Sequence, residues 1–484
     1  MKEETAQKYR PSPRTFRPTP AIKGFVIAVF LVWMVISIAC NFPSAQQNQG
    51  GTLSDDRLQT LVPRLQASAM ADLQTPVSGE NAPGRAQATL QTTASPPEEI
   101  APYLRSSSSD QFIFPDSEVI YSPTVAGFDI EAFVTEAGGF LSSYSAIVDD
   151  ELMSGIEIVD RVAIDNSTNP RLILALLEFR SKWVYQPQPD PNSINYPLGL
   201  YVPGQVGLYK ELTLVAKLLN MGYYGWRSGD LDKIAFLDRQ ELVLDFELNA
   251  GSAALLYLFS RLYNYTDFET ALRGNDNFLL LHQVMFGDPW ERAEGVDPIL
   301  PEDLVQPDLE LPFLPGEPWS FTGGPHSSWG TGTPRGALDF APVTGEPECA
   351  VSRAWVTASA PGVVARSERN LLALDLDGDG FEGTGWVLIY YHLADKDRLS
   401  FGSRVQLDDP LGHPSCEGGQ STGTHVHIAR KYNGEWLPAN ENYPFVLSGW
   451  KVVEGTRAYE GFLVKDDVVI TANPGGSRIS IIIR

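Results

Sequence analysis

The sequence predicts a multidomain α+β chain: an N-terminal membrane segment, a disordered linker, a mostly helical domain and a C-terminal, mainly antiparallel β domain. Three observations predict this organisation. The length of 484 residues corresponds to about three domains. Hydrophobic residues make up 43% and charged residues 20%, which suits packed cores rather than an acidic disordered chain. The apolar residues keep helical spacing before residue 294 and alternate after residue 320.

The charge is unevenly distributed along the chain. The formal net charge is −24, yet the first 23 residues carry six Lys or Arg against two Glu, a local +4 that leaves −28 for the remainder. So acidic a chain argues against a nucleic-acid partner, because affinity for phosphates comes from Lys and Arg. A cell-wall, divalent-cation or small-molecule partner stays open.

Residues 1–40 form the first predicted unit, a signal or membrane anchor. Residues 24–40, GFVIAVFLVWMVISIAC, contain no charge and follow the basic stretch. As a helix they would cover about 25 Å, which is marginal for a membrane span. The end at Cys40 resembles a bacterial lipoprotein signal, although Ser37 stands where Leu is usual. Lipid attachment at Cys40 and an uncleaved anchor both predict a membrane-anchored, extracytoplasmic protein of the cell envelope. A buried globular helix is the third alternative.

The next three segments differ in composition. Residues 41–110 are rich in Gln, Ser, Thr, Ala and Pro, which predicts a disordered linker. Residues 111–294 show apolar residues at helical spacing, with Asn169-Pro170 as a helix start, and are predicted to form the helical domain. Residues 295–319 contain six prolines and several acids, which predicts an extended Pro-rich linker.

The C-terminal part has β character. Residues 320–450 are predicted to form one β domain, with strands at 385–391 and 424–430 and a turn at Asn433-Gly434. Residues 451–484 also predict short strands, which we describe as a C-terminal β extension.

Four of the six histidines lie in the β domain at a suggestive spacing. His425 and His427 stand two apart in a strand pattern, so both side chains should point to one face. A Gly-rich loop, residues 416–424 (CEGGQSTGT), precedes them. His392 closes another predicted strand, His326 follows two glycines and a proline, and Asp339 lies in the segment ALDFAP. Histidine and carboxylate side chains are the usual ligands of a catalytic zinc.

In this chain order the motifs resemble the lysostaphin-type zinc peptidases, specifically their beta-lytic or staphylolytic branch, over residues 320–450. The resemblance implies a zinc ion held by His326, Asp339 and His427, with His392 and His425 as the catalytic histidines. It also implies hydrolysis of peptide cross-bridges of peptidoglycan, or of Gly-rich peptides. Which of the two catalytic histidines acts as general base stays open.

One position departs from much of that superfamily, where the first ligand is a histidine four residues before the Asp. Arg335 stands there in this chain, and arginine cannot bind zinc. The longer spacing from His326 to Asp339 resembles the beta-lytic branch, so we expect His326 to be the ligand. The alternative is a catalytically inactive scaffold of the same fold that binds the cell wall or activates another hydrolase.

An acidic segment of the β domain predicts either a calcium site or a solvated turn. Asp375, Asp377 and Asp379 have the spacing that opens a calcium loop. Trp386 occupies the twelfth position, where such a loop needs Glu, and Glu382 is the residue that could substitute.

Two cysteines remain once Cys40 is set aside. Cys349 and Cys416 form an even pair, which predicts a disulfide in an oxidising compartment; two free thiols are the alternative. Cys416 falls where the beta-lytic branch also has a cysteine.

The helical domain has a weaker resemblance to the lysozyme-like domains of lytic transglycosylases, carried by the helix after Pro170 and by the later segment 249–251. Arg180 stands where that family has its catalytic Glu, which opposes a bifunctional wall hydrolase. A non-catalytic, glycan-binding domain and a generic helical spacer stay open. Its predicted glycan-binding aromatic residues are Tyr223, Tyr224 and Trp226. We expect His282 and His413 to be structural or surface residues.

Overall fold

The structure is a computed structural model that describes residues 113–484, all within one compact unit, Glu80–Arg484. The predictions for the anchor at residues 1–40, for Cys40 and for the linker at 41–110 concern residues outside the described range. Within the described range, no helix combines the length and the hydropathy that a membrane crossing requires.

The first part of the described chain is mostly helical. One of its helices begins at Pro170, as predicted. The Asn169 side chain accepts a hydrogen bond from the Arg171 N–H at 2.9 Å, and proline suits the first helical position. The α-helices are α1 (Ile130–Ala137), α2 (Gly155–Asp165), α3 (Pro170–Ser181), α4 (Leu208–Ser228), α5 (Ala250–Leu262), α6 (Tyr265–Arg273), α7 (Phe278–Phe286) and α8 (Pro289–Ala293). Between them lie two hairpins, β1 (Ser145–Val148) with β2 (Glu151–Ser154), and β3 (Lys233–Ala235) with β4 (Glu241–Val243).

The second part is an antiparallel β structure, which confirms the α+β class. Its strands are β5 (Pro318–Ser327), β6 (Arg335–Pro342), β7 (Val356–Thr357), β8 (Gly362–Glu368), β9 (Leu371–Asp375), β10 (Trp386–Tyr391), β11 (Arg404–Val405), β12 (Pro410–Gly412), β13 (Val426–Tyr432), β14 (Glu435–Trp436), β15 (Val446–Leu447), β16 (Trp450–Glu454), β17 (Gly461–Lys465), β18 (Val468–Thr471) and β19 (Ile481–Ile483). The large sheet has the order β11-β8-β9-β10-β13-β6-β5-β19, and β14 pairs with β13. Strands β15 to β18 form a separate four-stranded sheet.

The helical part packs on one face of the large sheet. Residues two apart on a strand share a face, so Ala337 and Asp339 lie on the same face of β6, and His427 and Ala429 on the same face of β13. The buried residues of this face that share one hydrophobic core with the helices are Ala337, Leu371, Ala373, Val387, Ile389 and Ala429. The helices therefore cover the same face of the sheet that carries Asp339 and His427.

Buried polar contacts join the two parts at the hairpin between β13 and β14. Tyr223 on α4 donates a hydrogen bond to Glu435 at 2.8 Å, and Arg227 forms an ion pair with the same carboxylate at 3.0 Å. The Trp436 N–H donates to the Tyr224 hydroxyl at 3.0 Å. The prediction that Tyr223 and Tyr224 bind glycan is therefore wrong, because both are buried in this interface; Trp226 is half-buried and donates to the Leu248 carbonyl.

A second buried ion cluster lies under the acidic segment of the β part. Glu382 pairs with Arg366 at 2.5 Å and with Lys431 at 3.3 Å, and Arg366 also pairs with Asp165 of α2 at 2.5 Å. Since the Glu382 carboxylate faces these two cations, the prediction that it could complete a calcium loop is wrong.

The proline-rich segment before β5 is packed onto the β part. Leu309, Leu311 and Phe313 are buried in the second hydrophobic core, and the Phe313 ring stacks on Trp319 with a centroid distance of 4.9 Å. At the other end of the chain, β19 pairs with β5 and so extends the edge of the large sheet.

Candidate metal centre

Three neighbouring strands bring His326, Asp339 and His427 together. Asp339 lies in the middle strand, β6, directly opposite His427 on β13 and Gly323 on β5. The pairing of β5 with β6 shifts between Gly323 and His326, and such irregularities re-aim side chains. The shift lets His326, three residues farther along β5, reach the same point as Asp339.

The three ligand atoms form a nearly equilateral triangle. His326 Nε2 lies 3.3 Å from Asp339 Oδ1, His427 Nδ1 lies 3.4 Å from the same oxygen, and the two nitrogens lie 3.1 Å apart. A tetrahedral zinc ion with bonds of about 2.0–2.1 Å sets its ligand atoms roughly 3.3–3.4 Å apart. The triangle therefore has the size of one face of such a coordination sphere.

The protonation pattern of the site also calls for a cation. The second ring nitrogen of each histidine faces a backbone carbonyl, which can only accept: His326 Nδ1 donates to Gly324 O at 2.9 Å and His427 Nε2 to Ser328 O at 3.1 Å. The nitrogens that face Asp339 then carry lone pairs. Asp339 Oδ1 is buried and has no hydrogen-bond donor among the described residues. Three lone-pair atoms thus converge, and the residues fit the zinc that the family resemblance implies.

The electrostatics of the site favours positive charge. Burial by itself would lower the pKa of His326, but the Asp339 carboxylate outweighs burial and the net shift is upward. Burial would likewise raise the pKa of Asp339, yet the surrounding histidines hold it well below its usual value. A proton or a metal cation stabilises this arrangement, so the two compete for the same position.

His392 and His425 form a second pair beside the triangle. Their ring centroids lie 4.5 Å apart, and His425 Nε2 lies 3.7 Å from Asp339 Oδ1. His425 Nδ1 faces the Gly423 carbonyl at 2.7 Å, and His392 Nδ1 faces the Glu417 carbonyl at 3.1 Å. Each ring therefore directs its Nε2 away from these carbonyls, and burial together with the other histidines lowers the pKa of His392 to about 4. The structure brings together all five site residues that the sequence singled out.

Arg335 takes no part in this arrangement. It lies at the start of β6, is exposed, and donates a hydrogen bond to the Thr456 carbonyl at 3.2 Å. Of the two remaining histidines, His413 donates to the Ala354 carbonyl and stacks on Trp355, while His282 is buried among phenylalanines of the helical part.

Two aromatic residues at the site were not predicted from the sequence. Tyr459 stacks on the His326 ring with a centroid distance of 4.2 Å, and its backbone exchanges hydrogen bonds with Gly324 and Pro325. Tyr391 lies under the Gly-rich loop, since a Cβ added to Gly419 would come within 2.9 Å of its hydroxyl. No fixed spacing in the sequence connects Tyr459 with the histidine motifs. The sequence feature that could have pointed to it is a short turn bounded by glycines.

A disulfide fixes the base of the Gly-rich loop. Cys349 and Cys416 are bonded, with Cα atoms 4.9 Å apart, and the Thr424 hydroxyl donates to the Ala350 carbonyl at 2.8 Å. The loop that leads to His425 is thereby attached at both ends to the segment around Cys349.

The acidic loop lies apart from this centre. Asp375, Asp377 and Asp379 can each offer an oxygen within 4.8 Å of the others. The N–H groups of the loop already donate to these carboxylates, for example Gly380 N to Asp375 at 2.7 Å. These hydrogen bonds explain the fold of the loop without an ion, and calcium binding stays a prediction.

In the helical part, Arg180 occupies the position that the sequence analysis compared with a catalytic Glu. Its guanidinium donates to the Leu198 carbonyl at 2.8 Å and to the Tyr263 hydroxyl at 2.5 Å. Glu178 is buried and accepts hydrogen bonds from the N–H groups of Val184 and Tyr185. Both side chains therefore have structural partners, and the lysozyme-like resemblance stays a prediction.

Comparisons with known proteins find similar chains among named proteases and metalloendopeptidases. Residues 112–300 match the family model described as LasA, N-terminal domain. The chain is 28% identical to Protease LasA of Pseudomonas aeruginosa over 331 residues, 64% of this chain and 72% of the relative. It is 30% identical to the beta-lytic metalloendopeptidase of Lysobacter enzymogenes over 160 residues, 31% of this chain and 83% of the relative. The solved structure of the metalloprotease pseudoalterin is similar over 37% of this chain and 100% of its own, at 25% identity and a TM-score of 0.31. The chain belongs to the lysostaphin-type metallopeptidase family.

Proposed function

We propose that this chain is an extracytoplasmic zinc metalloendopeptidase that hydrolyses peptide cross-bridges of peptidoglycan or other Gly-rich peptides. The observation that carries the proposal is the convergence of lone-pair atoms from His326, Asp339 and His427 at 3.1–3.4 Å. When bound there, zinc would supply Lewis-acid chemistry, polarising the scissile carbonyl and lowering the pKa of a water molecule.

The protein's own residues account for the remaining steps. The Gly324 and Ser328 carbonyls hold the rings of His326 and His427 in the tautomers that metal binding needs. The Nε2 lone pair of one ring, His425 or His392, takes a proton from the attacking water, and the other ring, which takes a proton from solvent beforehand, donates a hydrogen bond to the developing oxyanion. The proton taken from the water then passes to the leaving amine. Comparing the activities of His392→Ala and His425→Ala tests which histidine is the general base and which donates to the oxyanion.

The substrate class rests on the family. Gly418 and Gly419 have φ values of +72° and +53°, and a Cβ on either would lie within 2.9 Å of Asn370 or of the Tyr391 hydroxyl, so these glycines allow the loop to pack closely on those residues. Two relatives carry the name beta-lytic metalloendopeptidase.

The extracytoplasmic location is supported by the Cys349–Cys416 disulfide, because such bonds persist in oxidising compartments. Attachment to the membrane through residues 1–40, or through a lipid on Cys40, is part of the same proposal. Mass analysis of the mature N-terminus, after signal processing of the full chain, tests this membrane attachment.

The decisive experiment is muropeptide analysis of digested cell walls. The wild-type chain should release new amino groups, whereas His427→Ala should release none. The matched control is Arg335→Ala, which removes an exposed side chain that donates to the Thr456 carbonyl and to none of the five site residues. New reducing ends would instead indicate glycan cleavage and a bifunctional hydrolase. If no metal-dependent product forms, the result supports the alternative, an inactive wall-binding scaffold of the same fold.

A further inference from the structure

The backbone of His392 has an unusual conformation for a residue with a side chain. It follows β10 directly and has φ +63°, in the left-handed region that favours glycine. Such a conformation persists only where the surrounding structure holds it, and strained residues of this kind cluster at active sites and ligand-binding positions. The contacts around His392 therefore show what fixes its ring.

Two hydrogen bonds hold the backbone of His392, and one orients its ring. The Ser415 N–H and hydroxyl both donate to the His392 carbonyl, at 2.8 and 2.9 Å. The ring Nδ1 donates to the Glu417 carbonyl at 3.1 Å. The orientation of the ring thus depends on the position of Glu417, which is an exposed residue in the Gly-rich loop.

Asn370 connects Glu417 to the chain on the other side of His392. Its Nδ2 donates to the Leu393 carbonyl at 3.0 Å and to Glu417 Oε2 at 2.9 Å. The Leu393 N–H in turn donates to the Asn370 carbonyl at 3.0 Å, and the Asp395 N–H donates to the same Glu417 oxygen at 3.0 Å. One amide group therefore bridges the residue after His392 and the residue whose carbonyl orients its ring.

Packing reinforces this bridge. A Cβ added to Gly418 would come within 2.9 Å of the Asn370 Cβ and 3.1 Å of the Tyr391 hydroxyl. The loop after Glu417 therefore lies directly on Asn370, and movement of the Asn370 side chain would move the loop.

We propose that Asn370 is a positioning residue of the peptidase: its side-chain amide joins Leu393 to Glu417 and thereby fixes the ring of His392 with Nε2 directed to the metal centre. This inference rests on the proposed function. Asn370 holds none of the ligand atoms at the metal centre, so it acts on turnover only through His392.

The test replaces Asn370 with glycine. Asn370 has φ +64°, a conformation that glycine adopts without strain, so Asn370→Gly keeps the turn and removes the side chain with its amide. We expect kcat to fall by about 10–100-fold, the range seen when partners of site residues are removed, with KM and bound zinc unchanged. Asp466→Gly is the matched control, since Asp466 also has a left-handed backbone (φ +51°) and lies in the turn between β17 and β18.

Variants of Glu417 supply a second route that does not alter the turn. Glu417→Gln keeps an acceptor oxygen and should restore nearly wild-type kcat, whereas Glu417→Ala should resemble Asn370→Gly. Because both residues act through one bridge, the double variant should lose no more kcat than the more impaired of the two single variants. Additive losses would overturn the proposal.

Nitrogen NMR of histidine-labelled protein gives a readout that does not depend on activity. His392 should show a protonated Nδ1 and a free Nε2 in the wild type, and a mixture of tautomers in Asn370→Gly. The proposal is overturned if the His392 signals are the same in both, or if kcat falls only together with zinc content and thermal stability. If the wild-type chain cleaves no peptide, the proposed function fails, while the NMR comparison still decides the role of Asn370.

Discussion

Replacing Gly323 with alanine should remove the metal from its site while leaving the fold intact. Gly323 lies on β5 directly opposite Asp339, and a Cβ at this position would come within 2.4 Å of Asp339 Oδ2 and 2.9 Å of its Cγ. Non-bonded heavy atoms pack at about 3.5 Å, so the carboxylate must move by roughly 1 Å. Metal–ligand distances tolerate about 0.2 Å, and Asp339 would no longer reach the ion.

The expected loss follows from these distances. Removing a residue that merely orients a ligand costs about 10–100-fold in metal affinity, so displacing the ligand itself should cost at least about 100-fold, or roughly 2.7 kcal/mol. The cost to folding should be smaller, about 1–3 kcal/mol, as for other overpacked cores. Peptidase activity should fall in parallel with bound zinc.

The assay is zinc retention after dialysis against a series of chelator concentrations, with circular dichroism and thermal unfolding to check the fold. Gly475→Ala is the matched control, because a Cβ there meets only the Asn473 side chain, at 3.6 Å. If folded Gly323→Ala retained zinc within threefold of the wild type, Asp339 could not be a ligand, and the assignment of the site would be refuted.

Three further predictions concern the surroundings of the site. Glu382→Gln should lower the free energy of unfolding by about 3–5 kcal/mol in urea titrations, because it removes the carboxylate that faces buried Lys431 and one of the carboxylates that face buried Arg366, which keeps Asp165. Burial alone would raise the pKa of Glu382, but the two cations outweigh it and hold that pKa below 4.5; the difference from wild type should therefore persist above pH 4.5 and shrink at lower pH. Gly332→Val should weaken zinc binding about tenfold in the chelator assay. Gly332 (φ +96°) packs against α4, and the same loop carries the Ser328 carbonyl that orients His427. Unchanged zinc affinity would argue against coupling between the helices and the metal centre. Reducing the Cys349–Cys416 bond should lower kcat with bound zinc retained, because the bond holds the Gly-rich loop; zinc loss in step with kcat would contradict this role.

The two parts of the fold differ in how much of each could be predicted from the sequence. The helix start at Pro170 and the strand that ends at Tyr391 were both predicted, because capping and hydrophobic periodicity act over a few residues. The burial of Tyr223 was missed. An amphipathic helix shows which face is apolar but not what covers that face, and here the cover is a hairpin more than 200 residues away in the sequence.

The candidate site shows the same division. The amino-acid sequence is enough to single out His326, Asp339, His392, His425 and His427 as candidate site residues, because these residue types can bind zinc and move protons. The three-dimensional fold was needed to show that Arg335 donates to the Thr456 carbonyl, that Glu382 pairs with two cations, and that Tyr459 stacks on His326. These contacts join residues from distant strands and loops, and no local preference of the chain specifies them. Sheet register and the packing of the helices against one face brought them together.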